Sequence, residues 1–252
     1  MMSNPRLPPE LFDHILDHLY DQPKTLKQCC LVSKSWIPCT RKHLFDEIVF
    51  RRRIEIEMWK IAFPNPANSP GRYASSLFFC SADSILPIIA EESGWIQAFC
   101  SVVQLKLEWY EELTILFLFV YSLALESHRM ASMSLVLDLQ VLVLICFLPH
   151  LEDLKLVDFW VVNKDDDNTG FQPTTSPPLT GTLTITHPRR IERLLPGLLD
   201  LPNGTCFRKL EISFDTMEVV WLTVALVEAC SNTLECVDIR SQEYSKSLQL
   251  LY

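Results

Sequence analysis

Glycine is scarce: six residues in 252. None stands in a phosphate-cradling loop or a dinucleotide fingerprint, so those nucleotide chemistries find no motif here. Positive charge is also short, with 22 Lys and Arg against 31 Asp and Glu and a net charge of −9. No basic surface is available to track a phosphate backbone, and nucleic acid is not an expected partner. The nine cysteines are odd in number and no pair is spaced CxxC, which argues against a disulfide framework or a zinc ribbon. Most lie in apolar runs, as reduced and buried thiols of a cytoplasmic or nuclear protein would. The opening MMSNPRLPPEL has no apolar core of the kind a secretory leader needs. Uninterrupted apolar stretches of about 20 residues are missing too. The longest, LTILFLFVYSLAL at 113–125, has 13 residues, and Leu135–Leu148 is broken by Asp138 and Gln140. Both read as buried core. The alternative is a membrane-associated protein anchored by 113–148.

What is present begins with LPPELFDHILDHLY at residues 7–20. Wound at about 100° per residue, Leu11, Phe12, Ile15, Leu16 and Leu19 spread over roughly 140°, and Tyr20 widens the arc to about 180°. Only Asp13, His14, Asp17 and His18 hold the opposite side, which is too little polarity for an ordinary surface helix. Thr25 is a candidate N-cap for a second helix, LKQCCLVSKSW, and a third short one is expected through RKHLFDEI. Residues 64–76, PNPANSPGRYASS, read as a loop or linker.

Beyond residue 100 a template recurs: Val102-x-x-Leu105-x-Leu107, Leu151-x-x-Leu154-x-Leu156, Phe207-x-x-Leu210-x-Ile212 and Leu234-x-x-Val237-x-Ile239. Leu183-x-Ile185 is a weaker copy, and Leu135-x-Leu137 a candidate one. From Leu105 the intervals are 30, 19, 29, 27 and 27 residues. Each copy alternates as a short strand does, and the intervals hold helical material such as DTMEVVWLTVALVEACSN, with a start signal at Asp215 and Glu218 and a stop at Asn232. A strand and a helix every 27–30 residues predicts an α/β solenoid over 101–252, in which each unit covers its neighbour's core. Two stretches depart from it: 113–148, with its broken rhythm, and the polar excursion NKDDDNTGFQPTTSPPLTG at 163–181, read as an exposed loop.

The first 50 residues resemble an F-box. The residues that carry the resemblance are Leu7-Pro8-x-Glu10-Leu11, Ile15-Leu16, Leu19, Leu26, Cys30-Leu31-Val32-Ser33-Lys34, Trp36, Leu44-Phe45 and Ile48. The resemblance implies a three-helix module at 1–50 that binds a Skp-type adaptor and, through it, a cullin ligase scaffold. By position it implies adaptor contacts from Leu7, Pro8, Leu11, Ile15, Leu16, Val32 and Trp36. It also accommodates a leucine-rich-repeat-like array after a 51–100 segment that links the two and begins the array. The array here is degenerate, because Phe159 and Asp215 stand where that repeat usually has Asn or Cys. The implied protein is the substrate-recognition subunit of a Skp–cullin–F-box ubiquitin ligase, without an activity or cofactor of its own. An unidentified protein is its target. In such an array the central positions of the strands, Lys106, Lys155, Thr184, Glu211 and Asp238, line the concave side, flanked by Glu152, Asp153, Arg208 and Lys209.

Other chemistry is set aside on spacing. His14 and His18 lie one turn apart with a carboxylate between, but a third metal ligand is lacking. Asp165, Asp167, Thr169 and Gly170 mimic part of a calcium loop whose twelfth position is Ser176 instead of Glu. Arg51-Arg52-Arg53 reads as a solvated basic run. No metal site and no catalytic constellation is assigned.

Overall fold

Prolines open the first two helices of the computed structural model, which describes residues 8–80, 85, 88, 93–108, 141–158, 176, 177, 179–186, 194–214 and 217–241. Helices α1 (Pro9–Asp17) and α2 (Pro23–Val32) place Pro where a backbone N–H would find no partner in any case. Helix α3 (Ile37–Leu44) ends on Arg41, Lys42 and His43, cations suited to the negative end of its dipole. Leu16 and Leu26 are fully buried between these helices. Three contacts tie α1 to α3 and the turn before it: Phe12 against Trp36, His43 to Asp17 at 3.0 Å, and the Cys39 thiol donating to Asp13 at 2.6 Å.

The sequence reading needs correction at several points in this segment. Helix α1 stops at Asp17, so Leu19 and Tyr20 lie in the turn beyond it and not on its face. The cap of α2 is Gln22, three residues before the predicted cap Thr25. The second helix is not continuous to Trp36. Ser33 adopts extended backbone and caps a short 3-10 turn, Lys34–Trp36. The third helix ends before Asp46, and Glu47–Phe50 is a strand.

Seven strands form one parallel sheet in strict chain order: β1 (Glu47–Phe50), β2 (Ser76–Cys80), β3 (Gln104–Glu108), β4 (Asp153–Val157), β5 (Thr182–Thr186), β6 (Lys209–Phe214) and β7 (Cys236–Ser241). Side chains alternate between faces. One face carries two apolar ladders in register: Ile48, Leu77, Leu105, Leu154, Leu183, Leu210, Val237; and Phe50, Phe79, Leu107, Leu156, Ile185, Ile212, Ile239. All are buried except Val237 and Ile239, 43 % and 44 % exposed on the edge strand. Complete burial of one such side chain contributes about 1.5–3 kcal/mol, so the ladders are a main source of stability.

Helical segments pack with this face in one core. Helix α4 (Arg53–Ala62) contributes Ile56 and Trp59, and Phe50 is ringed by Phe79, Trp59, Trp95 and Phe99 at centroid distances of 5.6, 5.7, 5.8 and 6.2 Å. Residues 141–147 are helical, and Val141, Leu144, Ile145 and Leu148 are fully buried. Helices α5 (Leu194–Leu199) and α6 (Met217–Ala229) add Leu194, Leu195, Leu198 and Leu226.

The sheet starts earlier than the recurring template suggests, since β1 and β2 precede Leu105. Residues 64–76 are not a free linker: Ser69, Pro70, Gly71 and Ala74 are buried, and a side chain at Gly71 would press on the Phe99 ring. Leu105 pairs directly with Leu154, an interval of 49 residues. Leu135 itself, with Asp215, most of 113–148 and residues 163–175 of the polar excursion, lies outside the described residues. Among those described, no helix is long and apolar enough to cross a membrane.

Candidate protein-interaction surfaces

Two surfaces stand apart from the core. The first is on α1 and α2. Leu11 and Ile15, one helical turn apart, are 47 % and 48 % exposed, and Val32 is 69 % exposed. Pro8, the N-cap of α1, is also exposed. Trp36 is half-buried, with its ring 5.2 Å from that of Phe12. Leu16 corrects the reading: at 0 % exposure it belongs to the core and can contact no partner. Leu7 lies outside the described residues. Two further exposed apolar residues, Tyr20 and Leu31, are not among the implied adaptor contacts, and Leu31 is 87 % exposed. The signal for Leu31 was present, since it sits in the Cys30–Lys34 segment beside Val32.

The second surface is the other face of the sheet. Parallel sheets are ordinarily covered on both sides. Here the second face is polar, and its middle row runs Val49, Phe78, Lys106, Lys155, Thr184, Glu211, Asp238 across the strands. All five predicted central positions therefore fall on one row. Sequence reasoning missed its apolar end, Val49 and Phe78, because β1 and β2 were not read as strands. Asp153 and Lys209 share this face, whereas Glu152 and Arg208 precede their strands and stay off the row.

Charges on the face are mostly self-neutralised. Lys106 lies 2.9 Å from Glu108 and 3.9 Å from the centre of the Phe78 ring, a cation–π contact. Lys209 and Glu211 meet at 2.5 Å, and the Thr184 hydroxyl donates to Glu211 at 3.1 Å. These bonds hold the Glu211 carboxyl below its usual range, and the Lys209 ammonium is pushed up by its bond to Glu211. Asp238 pairs with Arg240, Nε donating at 3.0 Å. A recess of about 250 Å³ opens between β2 and β5, lined by side chains that include Gln104, Lys106, Asp153, Lys155, Thr182 and Thr184.

The strand entrances follow one pattern with one exception. A single carbonyl accepts from two successive amides of the next strand: Asp46 from Ser75 and Ser76, Ser75 from Val103 and Gln104, Val103 from Glu152 and Asp153, Gly181 from Arg208 and Lys209, Arg208 from Glu235 and Cys236. Between β4 and β5 only the Gly181 amide reaches the Glu152 carbonyl, at 3.2 Å. The Thr182 amide donates instead to the Asp153 carboxylate at 2.5 Å.

His14 and His18 are exposed, their rings 5.2 Å apart, and no group of three metal-ligating side chains occurs among the described residues. All nine cysteines are free, but only Cys80 and Cys230 are buried, and Cys100 and Cys236 are exposed, which corrects the expectation of mostly buried thiols. No family model, curated protein or solved structure matches this chain.

Proposed function

We propose that the chain is the substrate-recognition subunit of a Skp–cullin–F-box ubiquitin ligase, holding the adaptor with its N-terminal helices and a target protein on the open sheet face. The observation that carries the reading is the outward display of Leu11, Ile15 and Val32 in the segment that resembles an F-box. Side chains of this kind exposed on a bundle of about 45 residues are an aggregation hazard unless a partner covers them. The chain-order parallel sheet, with one apolar and one polar face, supports the leucine-rich-repeat-like reading of the remainder. In this assignment the chain performs no catalysis. It raises the effective concentration of a bound target near a ubiquitin-conjugating enzyme. Co-expression with a Skp-type adaptor tests the assignment. The two should co-purify as a stoichiometric complex, and an Ile15→Asp, Val32→Asp chain that keeps its circular dichroism spectrum should lose the adaptor. Equal adaptor recovery from the two chains would refute it.

A further inference from the structure

Four residues of the middle row are charged, and three find an opposite charge two residues along their own strand: Lys106 with Glu108, Glu211 with Lys209, Asp238 with Arg240. Lys155 does not. Its counterpart by position is Asp153, on the same face of β4, but that carboxylate is already engaged. One oxygen accepts from the Thr182 amide and the other from the Gln104 side chain at 3.2 Å. Gly181 makes the diversion possible, because a β-carbon there would overlap the Asp153 carboxylate. The exception in the strand-entrance pattern and the unpaired Lys155 are one structural fact. It leaves an exposed ammonium with no ion pair among the described residues, lining the recess between β2 and β5.

We propose that this recess is the subsite that takes a single carboxylate side chain, Asp or Glu, from an extended segment of the target protein, seated on Lys155. The proposal rests on the reading of the open face as the target-binding surface. Charge complementarity selects the occupant. Among the described residues one unpaired cation lines the recess and matches one carboxylate, whereas phosphate sites gather Arg forks and no described Arg lines it. Asp153 and a chain charge of −9 disfavour a dianion or an acidic tract further. The row also sets a spacing. Phe78 stands two strands from Lys155, about 10 Å at the usual strand separation, or about three residues of an extended peptide. An apolar residue about three positions from the acid fits the Val49–Phe78 end.

The test uses the full-length chain as bait for a phage-displayed library of random peptides, alongside Lys155→Glu and Lys155→Met chains checked by circular dichroism. The wild-type chain should enrich peptides with Asp or Glu at one fixed position, and the Lys155→Glu chain should exchange it for Lys or Arg. A resynthesised wild-type peptide should bind Lys155→Met at least about tenfold more weakly, and its Asp→Asn analogue should be indifferent to that change. Gly181→Ala, whose β-carbon would displace the Asp153 carboxylate from the Thr182 amide and release it to compete for Lys155, should weaken the same peptide. Peptides that are lost on Phe78→Ser yet ignore Lys155 would overturn the subsite and leave the target face standing. Peptides indifferent to both, or no enrichment at all, would sink the subsite and the target face together. Tighter binding of a phosphoserine analogue through Lys155 would overturn the carboxylate assignment.

Discussion

The rings of Phe12 and Trp36 meet at 5.2 Å with their planes inclined by 50°, fastening α1 to the turn that precedes α3. With Phe12 turned to Trp36 and Leu16 turned to the core, the remaining apolar residues of α1, Leu11 and Ile15, face outward. Helix 1 thus splits its wide apolar arc between folding and display.

That split separates two kinds of variant. Leu16→Ala should destabilise the chain by about 2–5 kcal/mol, seen as a lower urea midpoint. Ile15→Ala should shift the midpoint by less than about 1 kcal/mol. Comparable losses from the two would show that Ile15 is core.

The same contrast holds along one ladder of the sheet. Leu210 is fully buried and its neighbour Val237 is 43 % exposed. Leu210→Ala should cost about 2–5 kcal/mol and Val237→Ala under about 1 kcal/mol, measured by thermal or urea unfolding. A large loss at Val237 would mean that something covers the edge of β7.

Thiol chemistry reports the α1–α3 contact. The hydrogen bond that Cys39 donates to Asp13, followed by burial, pushes its thiol up to about 11 from 9.0. The thiolate is the reactive form, so at mildly alkaline pH its population falls about a hundredfold. Iodoacetamide should therefore modify exposed Cys100 and Cys236 well before Cys39, and Asp13→Ala should speed Cys39 while leaving Cys100 unchanged. Early labelling of Cys39 in the wild-type chain would contradict the contact.

A pH dependence follows from the Lys209–Glu211 pair. The Lys209 hydrogen bond lowers the Glu211 carboxyl below its ordinary value of 4.5, with the Thr184 hydroxyl helping against partial desolvation. A depressed native value means that folding favours the ionised form. Its contribution is full above the unfolded value and lost as pH falls through the native one. The urea midpoints of wild type and Glu211→Gln should therefore differ at neutral pH and converge in acid below that value. The side chains are largely solvated, so the gap is small. A gap that widens in acid would show the sign to be wrong.

The strands that announce themselves in the sequence are those with one wet face. In DLKLV and TLTIT the alternation is clean, because Leu154, Leu156, Leu183 and Ile185 point to the core while Lys155 and Thr184 do not. SLFFC carries Phe78 on the open face, so β2 reads as an unpatterned apolar run, and EIVF of β1 follows the F-box-like motif closely enough to be taken for helix. Pairing is not legible in the same way, since β3 bonds directly to β4 across 49 residues. Local pattern reports which way a side chain faces, not which strand lies beside it. The five polar positions of the row were legible for that reason. The engagement of Asp153 was not, because it depends on a glycine and an amide of the next strand.

Strict chain order has a mechanical consequence. Each strand is bonded only to the strands before and after it, so a pull on the two ends loads the sheet one ladder at a time. Among the described residues β7 has one neighbour and a half-covered apolar face, which makes it the first to peel. The remaining strands would then follow in reverse order, as a series of small extensions in place of a single rupture.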